Sequence, residues 1–476
     1  MRVSLILLKA IPPTAAAAVV LLAFAASPRL ADAYRLRLLA TGDDPADVPT
    51  IRIPNRDLHG DLLEKLFAHK SASQRGQTHV RRTFLYYNRP ADEHQECIDT
   101  DHPHYAELAG ATLRTLSVPR EEIVAMARRC SHQVLEDLWP VGTTSRVLRL
   151  TDLTVPIASR LMFELVFRAA PSQEQIALIG RCATDTAKNF KGLRNSGNIS
   201  AKLELLDLLR AKVTEYGGCP EIFGPDSTLD TNSRAKHLQG MFFSKGVNQL
   251  SECVCHAVLA ASEHPHVVER IIEGDTGYLD HVLSETLRLY PQHATIQHLV
   301  VDDVALSPTV TIPRGTQLLV DISRHQRMGH TEPDAFIPER WEQRSRADSG
   351  FVVFGKGQRK CPAERFSRTA AAVIVQELLS SFAVHAPIRH TRALEGGGLC
   401  CLVPLGSASA PGIVFKKKVV WTRDRAERVA FGAAQLIYFS LAARAVQRLP
   451  HGADSNNVPN RTCSRPRTER STRRVE

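Results

Sequence analysis

The feature that most constrains this chain is FGKGQRKCPA, Phe354 to Ala363, which runs directly into the apolar-periodic stretch ERFSRTAAAVIVQELLSSF. A glycine-bearing loop thereby delivers one cysteine, Cys361, to the start of a helix. Gly355 and Gly357 admit backbone conformations that side chains disfavour. Loop amides and the helix amino terminus direct positive potential at the sulfur, which favours thiolate. Arg359 stands close by, able to meet an anionic group. Taken alone, the motif reads equally well as a helix start that contains a buried cysteine.

The rest of the chain supplies a large, mainly helical frame for this loop. Its 476 residues, 43% of them hydrophobic, suffice for a large core. Glu121 to Trp139, with Pro119 just before it, carries apolar residues at helical spacing. Val155 to Ala169 and Ser200 to Val213 do the same, the latter with Ser200 as an N-cap candidate. The run from about His237 to His264 is apolar on most of its circumference and predicts a central buried helix, broken by Pro265. HVVERIIE and GYLDHVLSETLRLYP predict further helices. From His298 the texture changes. β-rich runs alternate with Ser307-Pro308 and Pro313-Arg314-Gly315, which predicts short strands and hairpins. The fold class is therefore mainly α with a small β region, without the regular βαβ alternation of a doubly wound sheet.

Ten cysteines lie scattered, with no recurring CxxC pair, so a structural zinc site and a disulfide scaffold are both disfavoured. Cys253-Val254-Cys255-His256 could suggest a metal, but reads better as one stretch of a buried helix. The net charge of +10 is concentrated toward the end, in Lys416 to Lys418 and the arginines after Asn460. No recognition motif accompanies this charge, so the expectation is a solvated tail and no nucleic-acid partner. At the other end, Val3 to Ala26 is largely apolar but holds Lys9 and Pro12-Pro13. It reads either as a retained membrane anchor or as a signal peptide leaving at Ala31-Asp32-Ala33. Arginines after the run favour keeping the downstream side cytosolic. Asn198 and Asn460 head sequons that matter only in a secreted version.

Two weaker signals precede the cysteine loop. Glu285 and Arg288, three apart on one predicted helix face, can pair. Pro338-Glu339-Arg340-Trp341 follows, and Arg340 can join that pair as a buried charge network if every member is satisfied. In order and spacing the three segments resemble the cytochrome P450 family: Phe354, Gly357, Arg359 and Cys361 its cysteine loop, Glu285 and Arg288 its ExxR helix, Arg340 its PERF-type arginine, and Ile312 to Thr316 a turn between its strands. The resemblance is specific from about Leu238 to Val414.

The resemblance implies a fold with a long central helix over haem b, and Cys361 as the axial thiolate on the iron. It implies Arg359 on a haem propionate and Phe354 beside the sulfur, with Glu285, Arg288 and Arg340 as structural support. His104, His298 and His325 stand near positions where propionates are met, as substitute contacts or as plain surface histidines. It implies residues 1–33 as a membrane anchor, 34–418 as the haem domain and 419–476 as a basic extension, with VVWTRDRAERVAFGAAQLIYFSLAARAVQRL as an extra amphipathic helix of no assigned function. It further implies a microsomal monooxygenase in the endoplasmic reticulum membrane that faces the cytosol. Such an enzyme oxidises an apolar small molecule, as in secondary-metabolite biosynthesis, with electrons from NADPH-cytochrome P450 reductase. Lys356, Lys360, Arg365 and Arg368 would give that reductase a basic face, or form an ordinary solvated surface.

One departure stands out. Where the family's central helix carries small-Gly-x-acid-Thr, this chain has Lys245-Gly246-Val247-Asn248-Gln249. Asn248 and Gln249 would occupy the catalytic acid and alcohol positions, and neither can release a proton by ionising. The WxxxR helix is not found, and Ala363 replaces a glycine. The substitutions leave two other readings beside the monooxygenase: a haem-thiolate isomerase or dehydratase that needs no reductase, and a non-catalytic haem-binding descendant.

Overall fold

The computed structural model describes residues 50–427 apart from short internal stretches, the longest of them 75–88 and 387–397. The expected anchor at 1–33, the basic tail and most of the extra helix lie outside the described residues. Residues 414–424 are helical. Among the described residues no helix is long and apolar enough to cross a membrane.

Helices dominate. α1 is Asp61–Ala68, α2 Tyr105–Leu116, α3 Arg120–Leu138, α4 Thr151–Phe167, α5 Gln173–Phe190 and α6 Ile199–Glu215. Helix α6 begins one residue before Ser200, so Ser200 lies inside the first turn and is not the N-cap. The predicted central helix is longer than expected. It begins at α7 (Thr231–Leu238), where Asp230 caps by accepting from the Ser233 amide at 2.7 Å. It continues through a π-helical stretch, Gln239–Gly246, into α8 (Val247–Ser262). Helix α8 packs on α4 and on the last long helix, so Val254, Val258, Leu161, Ile374 and Leu378 share one core. Then come α9 (Pro265–Ile272) and α10 (Thr276–Leu289), and after the cysteine loop α11 (Glu364–Ser381).

The small β region is as expected. β1 (Thr50–Ile53) runs parallel to β6 (Gln317–Asp321), which pairs antiparallel with β3 (Thr295–Leu299). β4 (Val304–Ser307) and β5 (Val310–Ile312) form a hairpin around Ser307-Pro308. β2 (Arg146–Arg149) and β7 (Phe382–His385) flank β8 (Leu399–Pro404). Cys255 packs in the α4–α8 core with Thr154 Oγ1 3.2 Å from its Sγ. Among the described residues no cluster has the make-up of a metal site, and no disulfide joins the described cysteines.

Candidate active site

The site is built on a charge network at the carboxy end of α10. Glu285 and Arg288 are both 0% exposed and are held by a two-point ion pair, Arg288 Nε to Glu285 Oε2 at 2.8 Å and Arg288 Nη2 to Oε1 at 2.9 Å. Arg340 Nε donates to Glu285 Oε1 at 2.9 Å, Trp341 Nε1 to Oε2 at 2.9 Å and the Ile337 amide to Oε1 at 3.0 Å. The spare donors of Arg288 reach the Pro333 and Ala335 carbonyls at 2.7 and 3.0 Å. Every charge has partners, the condition under which buried charge is tolerated. Burial pushes the Glu285 carboxyl up, but the Arg288 and Arg340 guanidiniums overcome it and hold the group below the usual carboxylate range. The network pins residues 333–341 against α10. Trp341, Phe351 and Leu287 then pack together, with Phe354 against them.

From that anchor the chain enters the cysteine loop. The Cys361 amide donates to the Phe354 carbonyl at 2.7 Å, closing the loop, and α11 starts at Glu364. Gly357 has φ +66°, and a Cβ there would lie 2.6 Å from the Phe67 carbonyl oxygen and 2.9 Å from Ala68 Cα. Both are backbone atoms of α1 and cannot swing aside. Gly357→Ala should therefore cost about 2–3 kcal/mol, from strain plus contact. Gly315→Ala, with φ +82° but open space around it, should cost only about 1 kcal/mol. Urea unfolding midpoints of the two variants check this difference; equal midpoints would refute the close packing of the loop on α1.

Burial pushes the Cys361 thiol up to about 12; the Ala363 amide acts against this, and the carboxylates of Glu96 and Glu364 add to it. Desolvation outweighs the amide, and a bound cation is what would release the proton.

Arg359 is almost wholly buried. Its Nη2 donates to the Ile98 carbonyl at 2.8 Å and its Nη1 to the Gln95 carbonyl at 3.4 Å, with Asp99 Oδ1 3.8 Å away. Tyr105 supports it, with the guanidinium 5.4 Å from the ring centre and the hydroxyl donating to the Gln358 carbonyl at 3.3 Å. Sequence reasoning named His104 on this turn. His104 stands at the N-cap position of α2 without a side-chain capping bond and lies near Asp230, and its neighbour Tyr105 is the one that reaches the loop. An aromatic at the start of a helix preceding α3 was the signal available for it.

The other residues singled out are dispersed. His298 is buried in β3 with its ring against Phe67. His325 Nε2 lies 3.2 Å from the Gly350 carbonyl, and its Nδ1 is buried with no partner among the described residues. Asn248 and Gln249 sit half-buried on α8, with Gln249 Nε2 2.8 Å from His293 Nε2. The four basic residues near the loop divide. Lys356 and Lys360 pair with Glu64 and Glu364 at the surface, while Arg365 bonds the Leu116 and Val118 carbonyls and Arg368 the Asp280 carboxylate. Together with Arg120 and Arg346, Arg365, Arg368 and Lys360 line a groove of about 1090 Å³ that also reaches Cys361.

Known proteins agree with this architecture. The cytochrome P450 family model matches residues 275–401. The chain is 25% identical over 232 residues to cytochrome P450 90D2 of Brachypodium distachyon, covering 46% of this chain and 45% of that one. It is 31% identical over 129 residues to taxoid 14-beta-hydroxylase of Taxus cuspidata, covering 26% and 25%. To the C-22 sterol desaturase ERG5 of Saccharomyces cerevisiae it is 31% identical over 119 residues, covering 24% and 21%. The matched stretches thus span less than half the length of these curated relatives. Among solved structures, CYP175A1 of Thermus thermophilus superimposes with TM-score 0.58 at 17% identity, over 79% of this chain and 96% of that one. Ligand-free cytochrome P450 OleT gives TM-score 0.59 at 15% identity, over 72% and 87%. These likenesses carry the fold across most of the chain, and the family match falls on the charge network and the cysteine loop: the chain has the fold of the cytochromes P450 and matches that family's model over residues 275–401.

Proposed function

We propose that this chain is a haem-thiolate monooxygenase. It oxidises an apolar small molecule with O2 and electrons from NADPH, delivered by a reductase at an endoplasmic reticulum membrane. The observation that carries the reading is the half-buried Cys361 on a loop braced by a fully satisfied Glu285–Arg288–Arg340 network. Among the relatives, one is named a taxoid hydroxylase and one a sterol desaturase, which supports an oxidative role in the biosynthesis of terpenoid-like or other secondary metabolites.

The family implies haem b with a cysteine thiolate ligand, and the residues present fit that group. Cys361 offers a soft donor at a helix start, and Arg359, whose guanidinium holds the Gln95 and Ile98 carbonyls, is the buried cation that a propionate would meet. Beside Arg359, Gln95 keeps its Oε1 buried with no partner among the described residues. When bound, haem held by a cysteine thiolate would supply oxygen activation. Cys361 would hold the iron, Arg359 one propionate, and Phe354 the loop closure beside the sulfur. A second reading, a reductase-independent isomerase or dehydratase, draws on Asn248 and Gln249, which offer no ionising proton, and on Gln249 being engaged with His293.

The test is the carbon monoxide difference spectrum of the full chain after dithionite reduction, beside Cys361→Ala. A thiolate-type, red-shifted Soret band that disappears in the variant is expected. A histidine-type spectrum, or no haem, would withdraw the assignment. Dependence of turnover on NADPH and reductase then separates the monooxygenase from the second reading.

A further inference from the structure

The helix at 414–424 docks on the sheet of β2, β7 and β8 through one stripe of side chains. Val420 shares a buried cluster with Leu399, Cys401 and Val403. Lys416 Nζ donates to the Ser145 carbonyl at 3.1 Å, and just past the helix Arg149 holds Glu427 through two bonds of 2.9 and 2.8 Å. Asp424 is buried as well. Positions 416, 420, 424 and 427 recur at helical spacing, so the docked stripe is one face.

The other face is apolar and basic at once. Val414 is 77% exposed and Phe415 72%, and Val419 and Trp421 are exposed on the following turns. Lys417 and Lys418 stand exposed among them. Large apolar side chains clustered in water mark an interaction surface. A second copy of the chain would set these lysines against lysines, and the chain as a whole carries +10, so an anionic partner is favoured.

The sequence that follows tells which anionic partner. Val429 to Val446 is an 18-residue run with a single charged residue, Arg444. A run of that length and apolarity suits hydrocarbon better than an aqueous protein surface. The helix before it has the make-up of a segment at the lipid headgroup level. There aromatic rings sit at the boundary, and lysine stems lie along apolar surface with their ammoniums at the phosphates.

We propose that the outward face of the helix at 414–424 is a membrane-contact surface that lies on an anionic lipid bilayer, with Val414 and Phe415 at the acyl boundary and Lys417 and Lys418 on lipid phosphates. None of these residues belongs to the candidate active site, so the proposal goes beyond the haem-thiolate reading and does not depend on it.

The experiment places a reporter on the face. Phe415→Trp in the full chain is mixed with vesicles of phosphatidylcholine and phosphatidylserine whose acyl chains are brominated, a quencher that acts only at close range. The emission that the substitution adds over wild type should move to shorter wavelength on vesicles and fall by about half or more. Lys417→Glu together with Lys418→Glu in the same chain should reduce that quenching about threefold or more, and so should vesicles of phosphatidylcholine alone. The substituted positions are exposed, so the fold is not at stake. A chain that sediments with the vesicles while the reporter stays unquenched touches lipid elsewhere, and the proposal fails; it fails equally if the chain stays in solution. Quenching unchanged by the lysine reversals overturns the anionic surface. A reporter already shifted to shorter wavelength before vesicles are added, and unmoved by them, means that another part of the chain covers the face, or a second copy if the shift follows protein concentration; either overturns the proposal.

Discussion

Glu285→Ala should leave the chain barely folded. The substitution removes the acceptor of five donors at once: Arg288 Nε and Nη2, Arg340 Nε, Trp341 Nε1 and the Ile337 amide. Arg288 is 0% exposed and cannot turn to water. Breaking a buried pair by deleting one partner costs about 3–5 kcal/mol, because the other charge stays behind. Against a total stability of about 5–15 kcal/mol this is a large share. The same i,i+3 spacing on the surface supplies the control. Asp207 pairs with Arg210 at 2.7 Å, but both are well exposed, so Asp207→Ala should cost at most about 0.5 kcal/mol. Urea denaturation followed by circular dichroism measures both. A Glu285→Ala midpoint close to that of wild type would mean that the network does not brace the loop, and the account of the site would lose its foundation.

That contrast also explains how much of the molecule was legible in the sequence. Glu285 and Arg288 are visible as a spacing, but spacing cannot distinguish a buried network from an exposed pair such as Asp207–Arg210. The distinction came from order along the chain, with PERW and then the cysteine loop following. Helices α3, α4, α8 and α11 and the hairpin of β4 and β5 were legible because their signals are local: apolar period, proline stops and turn residues. The π-helical stretch was not, since QGMFFSKG carries an ordinary helical pattern and the widened turn answers to His94 packing against Gly240. The ion pair of Lys245 with Glu96 was invisible for the same reason. Its partners are 149 residues apart, and residues 90–104 form turns without a period. That the thiolate of Cys361 needs a bound cation was not legible, because a helix start is readable from sequence and the desolvation around it is not. Arg359 was found by motif, whereas the carbonyls that hold it could only come from the fold.

Acid should destabilise the protein well above the carboxylate range, and His237 should carry a large part of the effect. Burial alone drives the His237 imidazole down from 6.5 to about 3. The ring is enclosed edge-on by Phe223 and Phe242, and its Nε2 meets Thr112 Oγ1 at 3.1 Å. A histidine with a depressed folded-state value stays neutral in the native protein while the unfolded chain takes up a proton. Its contribution is therefore fully present above about pH 6.5 and is lost as pH falls from there toward about 3. From about pH 7.5 to about pH 5 the loss should be about 2 kcal/mol. Glu285 and Asp280, both held below their ordinary values by arginines, release their stabilisation only at lower pH, and Asp92, pushed up by burial, acts with the opposite sign. His330 and His325, also lowered first by burial, add to the slope with the same sign. His237→Gln keeps a hydrogen-bonding partner for Thr112 and removes the titration. Its unfolding free energy should fall by about 2 kcal/mol less than that of wild type across the same interval. Parallel pH profiles for the two proteins would show that His237 is protonated in the folded state, and that the enclosure by Phe223 and Phe242 does not exclude the proton.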